Sequence, residues 1–183
     1  MIDLNDERIA LITRLAEKST SKFGRTALMK FCYFLQTLRE VPLGYHFTLY
    51  SYGPFDSDVL ADLDTAEALG TVQSTVVYYP GGYGYEIKPT GQSRATDRLA
   101  VDFLKKYQKD IDWAVSEFSG LNSAELELVS TIVYVDQEAT NAGESLKMED
   151  LVQRVKEVKP HFSKDRIRIQ VENLSDKALL CSI

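Results

Sequence analysis

The sequence predicts an α+β fold, mainly α: a helical bundle with a β-hairpin and one short extra strand, winged-helix-like in its first half. Three observations predict it. Apolar residues recur at helical spacing over most of the chain. The run Thr71 to Tyr79 is rich in β-branched and aromatic residues, and Pro80-Gly81-Gly82-Tyr83-Gly84 turns it back onto Tyr85 to Lys88. A second aromatic, β-branched run lies at His46 to Tyr52.

In order along the chain, Ile9, Ile12, Leu15 and Ala16 predict a first helix from Asn5 or Asp6 to Lys18, ended by the polar break Ser19 to Gly24. Thr26 is placed to cap a second helix reaching Glu40, with Leu28, Phe31, Leu35 and Leu38 on one face; Pro42 and Gly44 stop it. After the strand at 46–52, Asp56 or Ser57 caps a third helix carrying Val59, Leu60, Leu63 and Ala66, and Gly70 ends it.

Beyond Pro89-Thr90-Gly91 the pattern is helical. Ala95, Leu99, Phe103, Tyr107, Ile111, Ala114 and Phe118 step by three or four, which predicts one long helix over 92–118. Asn122 and Glu125 form a capping-box signature for the next helix, and Glu138 to Ser145 reads as a mobile loop. Two further helices, at 147–158 and 163–177, are separated by Pro160, with Ser163 as cap. The division expected is residues 1–120 as a domain with the hairpin and 121–183 as a helical extension packed on it.

At 183 residues the chain suits one domain with an appendage, and 44% hydrophobic residues suffice for a sizeable core. Apolar runs of a few residues exclude a membrane helix. Met1 to Glu7 shows no basic or apolar leader. Cys32 and Cys181 offer no disulfide framework. The cytoplasm is the compartment expected. A net charge of −6 disfavours non-specific nucleic-acid binding by the whole chain. The charge is uneven, with six basic against two acidic side chains over 154–168, five against one over 14–30, and five acids without a base over 56–67.

Enzyme readings find little support. His46 and His161 are the only histidines and sit in segments of different type; with the two cysteines they show no zinc-site spacing. Gly81-Gly82-Tyr83-Gly84 lies in a hairpin turn and no Lys-Ser or Lys-Thr follows, so it is not a phosphate loop. Asp58 and Asp62, one turn apart, read as a bare acidic helix face more readily than as a cation site. The expectation is a non-enzyme with no catalytic residue, no cofactor and no metal.

The residues Thr26-x-Leu28-x-Lys30-Phe31-Cys32-Tyr33-Phe34, then Tyr52-Gly53-Pro54, then a hairpin ending Lys88-Pro89-Thr90-Gly91, resemble the Panacea or SocA-like antitoxin domain and related small bacterial proteins. The resemblance covers roughly residues 5 to 120. It implies a helical domain with a small hairpin sheet, often encoded beside toxins and acting through protein contacts. Thr26, Leu28, Lys30, Tyr33, Tyr52, Gly53 and Pro54 are its motif residues.

Lys30 and Tyr33 share a helix face. Either Lys30 makes a polar contact to the Tyr52-Gly53-Pro54 turn or to a partner carboxylate, or it snorkels beside the apolar stripe with Tyr33 in the core and its hydroxyl at the surface. Tyr52-Gly53-Pro54 reads mainly as a sharp turn. Tyr78, Tyr79, Tyr83 and Tyr85 are the candidate partner-binding residues. Alternation places Tyr78 and Tyr79 on opposite faces, and cross-strand aromatic pairing is the competing role.

The function expected is a regulatory or adaptor-type protein-interaction module, antitoxin-like, binding a toxin, a protease or a regulator, with a homodimer also admitted. The alternative is a DNA-binding regulator that uses a C-terminal helix-turn-helix through Lys159, Lys164, Arg166 and Arg168.

Overall fold

The structure, a computed structural model, describes residues 4–19, 23–94, 98 and 100–183. Among them the order is α1 (Leu4–Lys18), α2 (Arg25–Leu38), β1 (Thr48–Tyr50), β2 (Gly53–Phe55), α3 (Ser57–Ala68), β3 (Val72–Tyr79), β4 (Gly82–Pro89), α4 (Val101–Lys106), α5 (Gln108–Phe118), α6 (Ser123–Asn141), α7 (Met148–Val158) and α8 (Lys164–Asp176). The fold is α+β, mainly α, with two small antiparallel hairpin sheets, β1–β2 and β3–β4. The extra strand is thus half of a second hairpin, because Gly53, at φ 87, lets the chain fold back on itself. No described helix is long and apolar enough to cross a membrane.

The chain divides into two compact units, residues 1–48 with 55–121, and residues 49–54 with 122–183. In the first, α1 and α2 bury apolar stripes from Ile9 to Ala16 and from Leu28 to Leu35. Phe34 stacks on Phe118 of α5 at 4.0 Å between ring centroids, and Phe31 lies 5.7 Å from Phe23. Val72 and Ile87 seat the base of the β3–β4 hairpin in this core. The second unit packs α6, α7 and α8 around Val129, Ile132, Leu151, Val155, Ile167 and Val171.

Several boundaries differ from the sequence reading. Helix α2 starts two residues earlier than a Thr26 cap requires. Its N-cap is Gly24, which makes no side-chain cap. A Cβ there would collide with the Tyr85 carbonyl, so the glycine answers a close approach by β4, fixed by Ile87 N–H donating to the Phe23 carbonyl at 2.7 Å. The polar break expected at 19–24 lies partly outside the described residues. The single helix expected over 92–118 is broken. Residues 95–97 and 99 lie outside the described residues, 91–93 form a turn, and Tyr107 (φ −100, ψ 14) ends α4 and begins α5. The break lets Phe103 and Leu104 on one piece and Ile111, Ala114 and Phe118 on the other all be buried. The loop expected at 138–145 is helical as far as Asn141. Ala139 is buried, and Gly143 at φ 72 marks the stop.

Other local expectations hold. The Asp56 carboxylate caps α3 by accepting from Asp58 N–H at 2.9 Å. Asn122 and Glu125 make the reciprocal capping box of α6, and Ser163 caps α8.

Candidate interaction surface

The β3–β4 register pairs Val72 with Pro89, Ser74 with Ile87, Val76 with Tyr85 and Tyr78 with Tyr83 on one face. Apart from Ser74, that face is built of apolar and aromatic residues. Its base, Val72 and Ile87, is buried, whereas Val76, Tyr78 and Tyr83 are 47%, 82% and 61% exposed. The rings of Tyr78 and Tyr83 lie 6.4 Å apart and those of Tyr83 and Tyr85 lie 6.0 Å apart. Arg25 stacks over Tyr85 at 3.8 Å and roots the row in α2. The four candidate tyrosines are therefore not one surface. Tyr79 belongs to the opposite face, where its ring lies over Gly84, so that any side chain at 84 would displace it. Gly81, at φ 97 after Pro80, makes the tight turn between the strands.

Of the motif residues, Leu28, Lys30, Tyr33, Gly53 and Pro54 are buried, Thr26 is half-buried, and Tyr52 is 75% exposed. Lys30, 2% exposed, does not snorkel. Tyr33 is a core residue, its ring 5.1 Å from Phe47.

Asp62 does not continue an acidic solvent face from Asp58. It is buried, accepts from the Tyr45 hydroxyl at 2.8 Å and lies 3.7 Å from Arg8. Arg8 in turn donates to the Leu43 carbonyl at 2.6 Å and covers the Tyr45 ring at 4.2 Å. Burial raises the Asp62 carboxyl above the usual carboxylate range, against the lowering pull of Tyr45 and Arg8. Burial likewise pushes the Cys32 thiol and the Tyr45 phenol far up, so both stay protonated. This cluster ties α1, α3 and the 43–45 loop together. It holds no activated nucleophile. Among the described residues no three His, Cys, Asp or Glu side chains form a group that could hold a metal ion.

The C-terminal basic residues fare differently from their sequence reading. Lys159 is 2% exposed. Its ammonium lies 3.0 Å from Glu127 and donates to the carbonyls of Tyr50, at 3.1 Å, and Ser51. A lysine held this way is not available to a phosphate backbone, which removes it from the DNA-binding set. Arg168 pairs with Glu149 at 2.8 Å, and Arg166 lies over the Phe162 ring at 5.2 Å. Lys164 is exposed at the start of α8. His161 sits 3.2 Å from the same Glu127 oxygen that Lys159 approaches. In the same unit the buried Asp136 carboxylate accepts from the N–H groups of Cys181 and Ser182, each at 2.9 Å, and from the Ser182 hydroxyl at 2.6 Å.

Sequence reasoning missed Asp62, Glu127 and Asp136 as buried carboxylates. A signal existed for one of them, since Asp136 follows Val129, Ile132 and Val133 on an otherwise apolar stretch of α6. No protein-family model matches the chain, and no curated protein matches it.

Proposed function

We propose that this chain is a non-catalytic regulatory or adaptor-type module of the bacterial cytoplasm, antitoxin-like and related to the Panacea or SocA-like domain. It binds a protein partner (a toxin, a protease or a regulator) through the exposed face of its hairpin. One observation carries the reading: Val76, Tyr78 and Tyr83 form an exposed apolar row that continues from a buried base. Tyrosine suits recognition because it offers large area with few rotatable bonds. The α2 motif residues Leu28, Lys30 and Tyr33, buried in the same unit as the hairpin, then serve the scaffold that presents the row.

The test is Tyr78→Ser with Tyr83→Ser, co-expressed with the product of the adjacent gene. Retained folding with lost co-purification supports the reading; co-purification at the wild-type level overturns it. The DNA-binding alternative now rests on Lys164 and Arg166, with Lys159 buried and Arg168 paired. It requires duplex binding that weakens steeply with salt and disappears in Arg166→Ala with Lys164→Ala.

A further inference from the structure

The outer edge of β3 has a defined open length. Ile87 N–H points away from β3, to the Phe23 carbonyl, and Ser74 N–H points away from β4, to the Glu67 carboxylate at 2.7 Å. Ser74 and Ile87 are partners in the register, so Ser74, Val76 and Tyr78 direct their backbone groups outward, and Val77 and Tyr79 direct theirs to β4. The outward N–H at Ser74 is already taken by Glu67. Pro80, the next outward position, has no N–H. Between these stops, Val76 and Tyr78 leave two N–H and two C=O groups on a solvent-facing edge.

We infer that this edge pairs with the same edge of a second copy, antiparallel about a two-fold axis through Val77. In that register Val76 faces Tyr78 of the other copy and Tyr78 faces its Val76. The two pairs exchange four backbone hydrogen bonds, and the stops at Ser74 and Pro80 end the ladder at both sides. Symmetry favours this occupant, because the stops at Ser74 and Pro80 lie three residues to either side of Val77 and the open window is its own complement. Two copies of a chain at −6 repel in general, yet residues 72–79 carry no charged side chain, so the two-fold brings no like charges together along the edge. The pairing also joins the two tyrosine rows, with Tyr83, Tyr85, Val76 and Tyr78 of each copy on one face of a four-stranded sheet.

The contact is small. Stable interfaces bury about 1,200–2,000 Å², and a two-residue edge with its flanking rings falls below that, which makes the dimer weak and concentration-dependent. The inference names one partner for the recognition hairpin proposed above and rests on that reading.

The experiment is sedimentation of the full chain. The mass of the wild type should rise from 20.7 kDa toward twice that value over roughly 10–500 μM. Val77 meets itself across the axis, so Val77→Lys and Val77→Glu should each stay monomeric, and their equimolar mixture should dimerise again. Where a charge at 77 unfolds the hairpin, Val77→Cys in a Cys181→Ser background provides the second test. The Cα atoms of such a non-hydrogen-bonded pair lie about 4.5 Å apart, within disulfide reach, so mild oxidation should cross-link the chain.

A wild type that stays monomeric throughout, or Val77→Lys dimerising like the wild type, overturns the inference. A monomeric wild type whose partner is still lost on changing Tyr78 and Tyr83 overturns the self-pairing alone and leaves the proposed function intact. Saturation of the edge by an added peptide strand, with no self-association, likewise replaces the second copy by a partner strand.

Discussion

The β3–β4 hairpin and the α7–α8 segment invert the usual distribution of residue types. In the hairpin, aromatic side chains stand in solvent. Around the α7–α8 turn, Lys159 is inside, 2% exposed. The physical causes differ. A strand presents alternate residues to one face whatever lies beneath, so once the base of the hairpin is seated by Val72 and Ile87 the same face carries Tyr78 and Tyr83 beyond the core. A lysine is retained inside only where its charge and donors are met, and Glu127 with the Tyr50 and Ser51 carbonyls meets them. The difference teaches where to look for function. The exposed row is held only by contacts among its own rings and Arg25, whereas the buried lysine ties three groups of its unit together.

The comparison can be broken most forcefully at Lys159. Lys159→Met leaves the Glu127 carboxylate buried beside the exposed His161 ring without its ammonium partner, and unfolding in urea should show a loss of about 3–5 kcal/mol. Adding Glu127→Leu should restore most of it, because an apolar pair avoids the stranded charge. Failure of the second change to restore stability would show that the two residues do not act as a pair. Somewhat smaller is Asp136→Ala, which strips the acceptor from two backbone N–H groups and the Ser182 hydroxyl; about 2–3 kcal/mol should be lost. A loss within error would mean that the segment at 181–182 contributes nothing to the second unit.

In the first unit the corresponding buried carboxylate behaves in the opposite sense to a surface ion pair. Because the folded-state pKa of Asp62 is raised, its contribution to folding is fully present below the ordinary carboxylate pKa and is lost as pH rises through the raised value. Asp62→Asn should therefore gain stability relative to wild type as the pH rises above the ordinary carboxylate value of about 4, measured as the difference of two denaturation curves at each pH. A difference that falls over that range contradicts the assignment. Reactivity separates the two cysteines without changing stability at all. Cys181 is exposed and should react with a thiol reagent in the native chain, whereas Cys32, buried with its thiol held protonated, should react only on unfolding.

Much of the fold was legible because its signals are local. Pro80-Gly81 announces a turn, Asn122 and Glu125 announce a helix start, and Ser163 a second one, each within four residues of where it acts. What escaped reading depends on residues distant in sequence. Gly24 rather than Thr26 begins α2 because β4 passes close by. The stretch from Glu138 to Asn141 is polar enough for a loop, yet Ala139 finds burial and keeps it helical. Tyr107 breaks a regular apolar spacing that a straight helix would have carried on. The candidate surface was half legible: alternation separates Tyr78 from Tyr79, but only the register shows that Tyr83 and Tyr85 side with Tyr78. Lys159 looked like one more base in a basic run, since Glu127 and the 50–51 carbonyls are far from it in the chain.

The most direct measurement is thermal melting of Tyr78→Ser with Tyr83→Ser beside Lys159→Met. If the tyrosine row is a presented surface and the lysine a structural one, the double variant should melt within about 2 °C of wild type, while Lys159→Met falls by about 6–20 °C. A double variant that falls as far as Lys159→Met would place the tyrosines in the core and contradict the account.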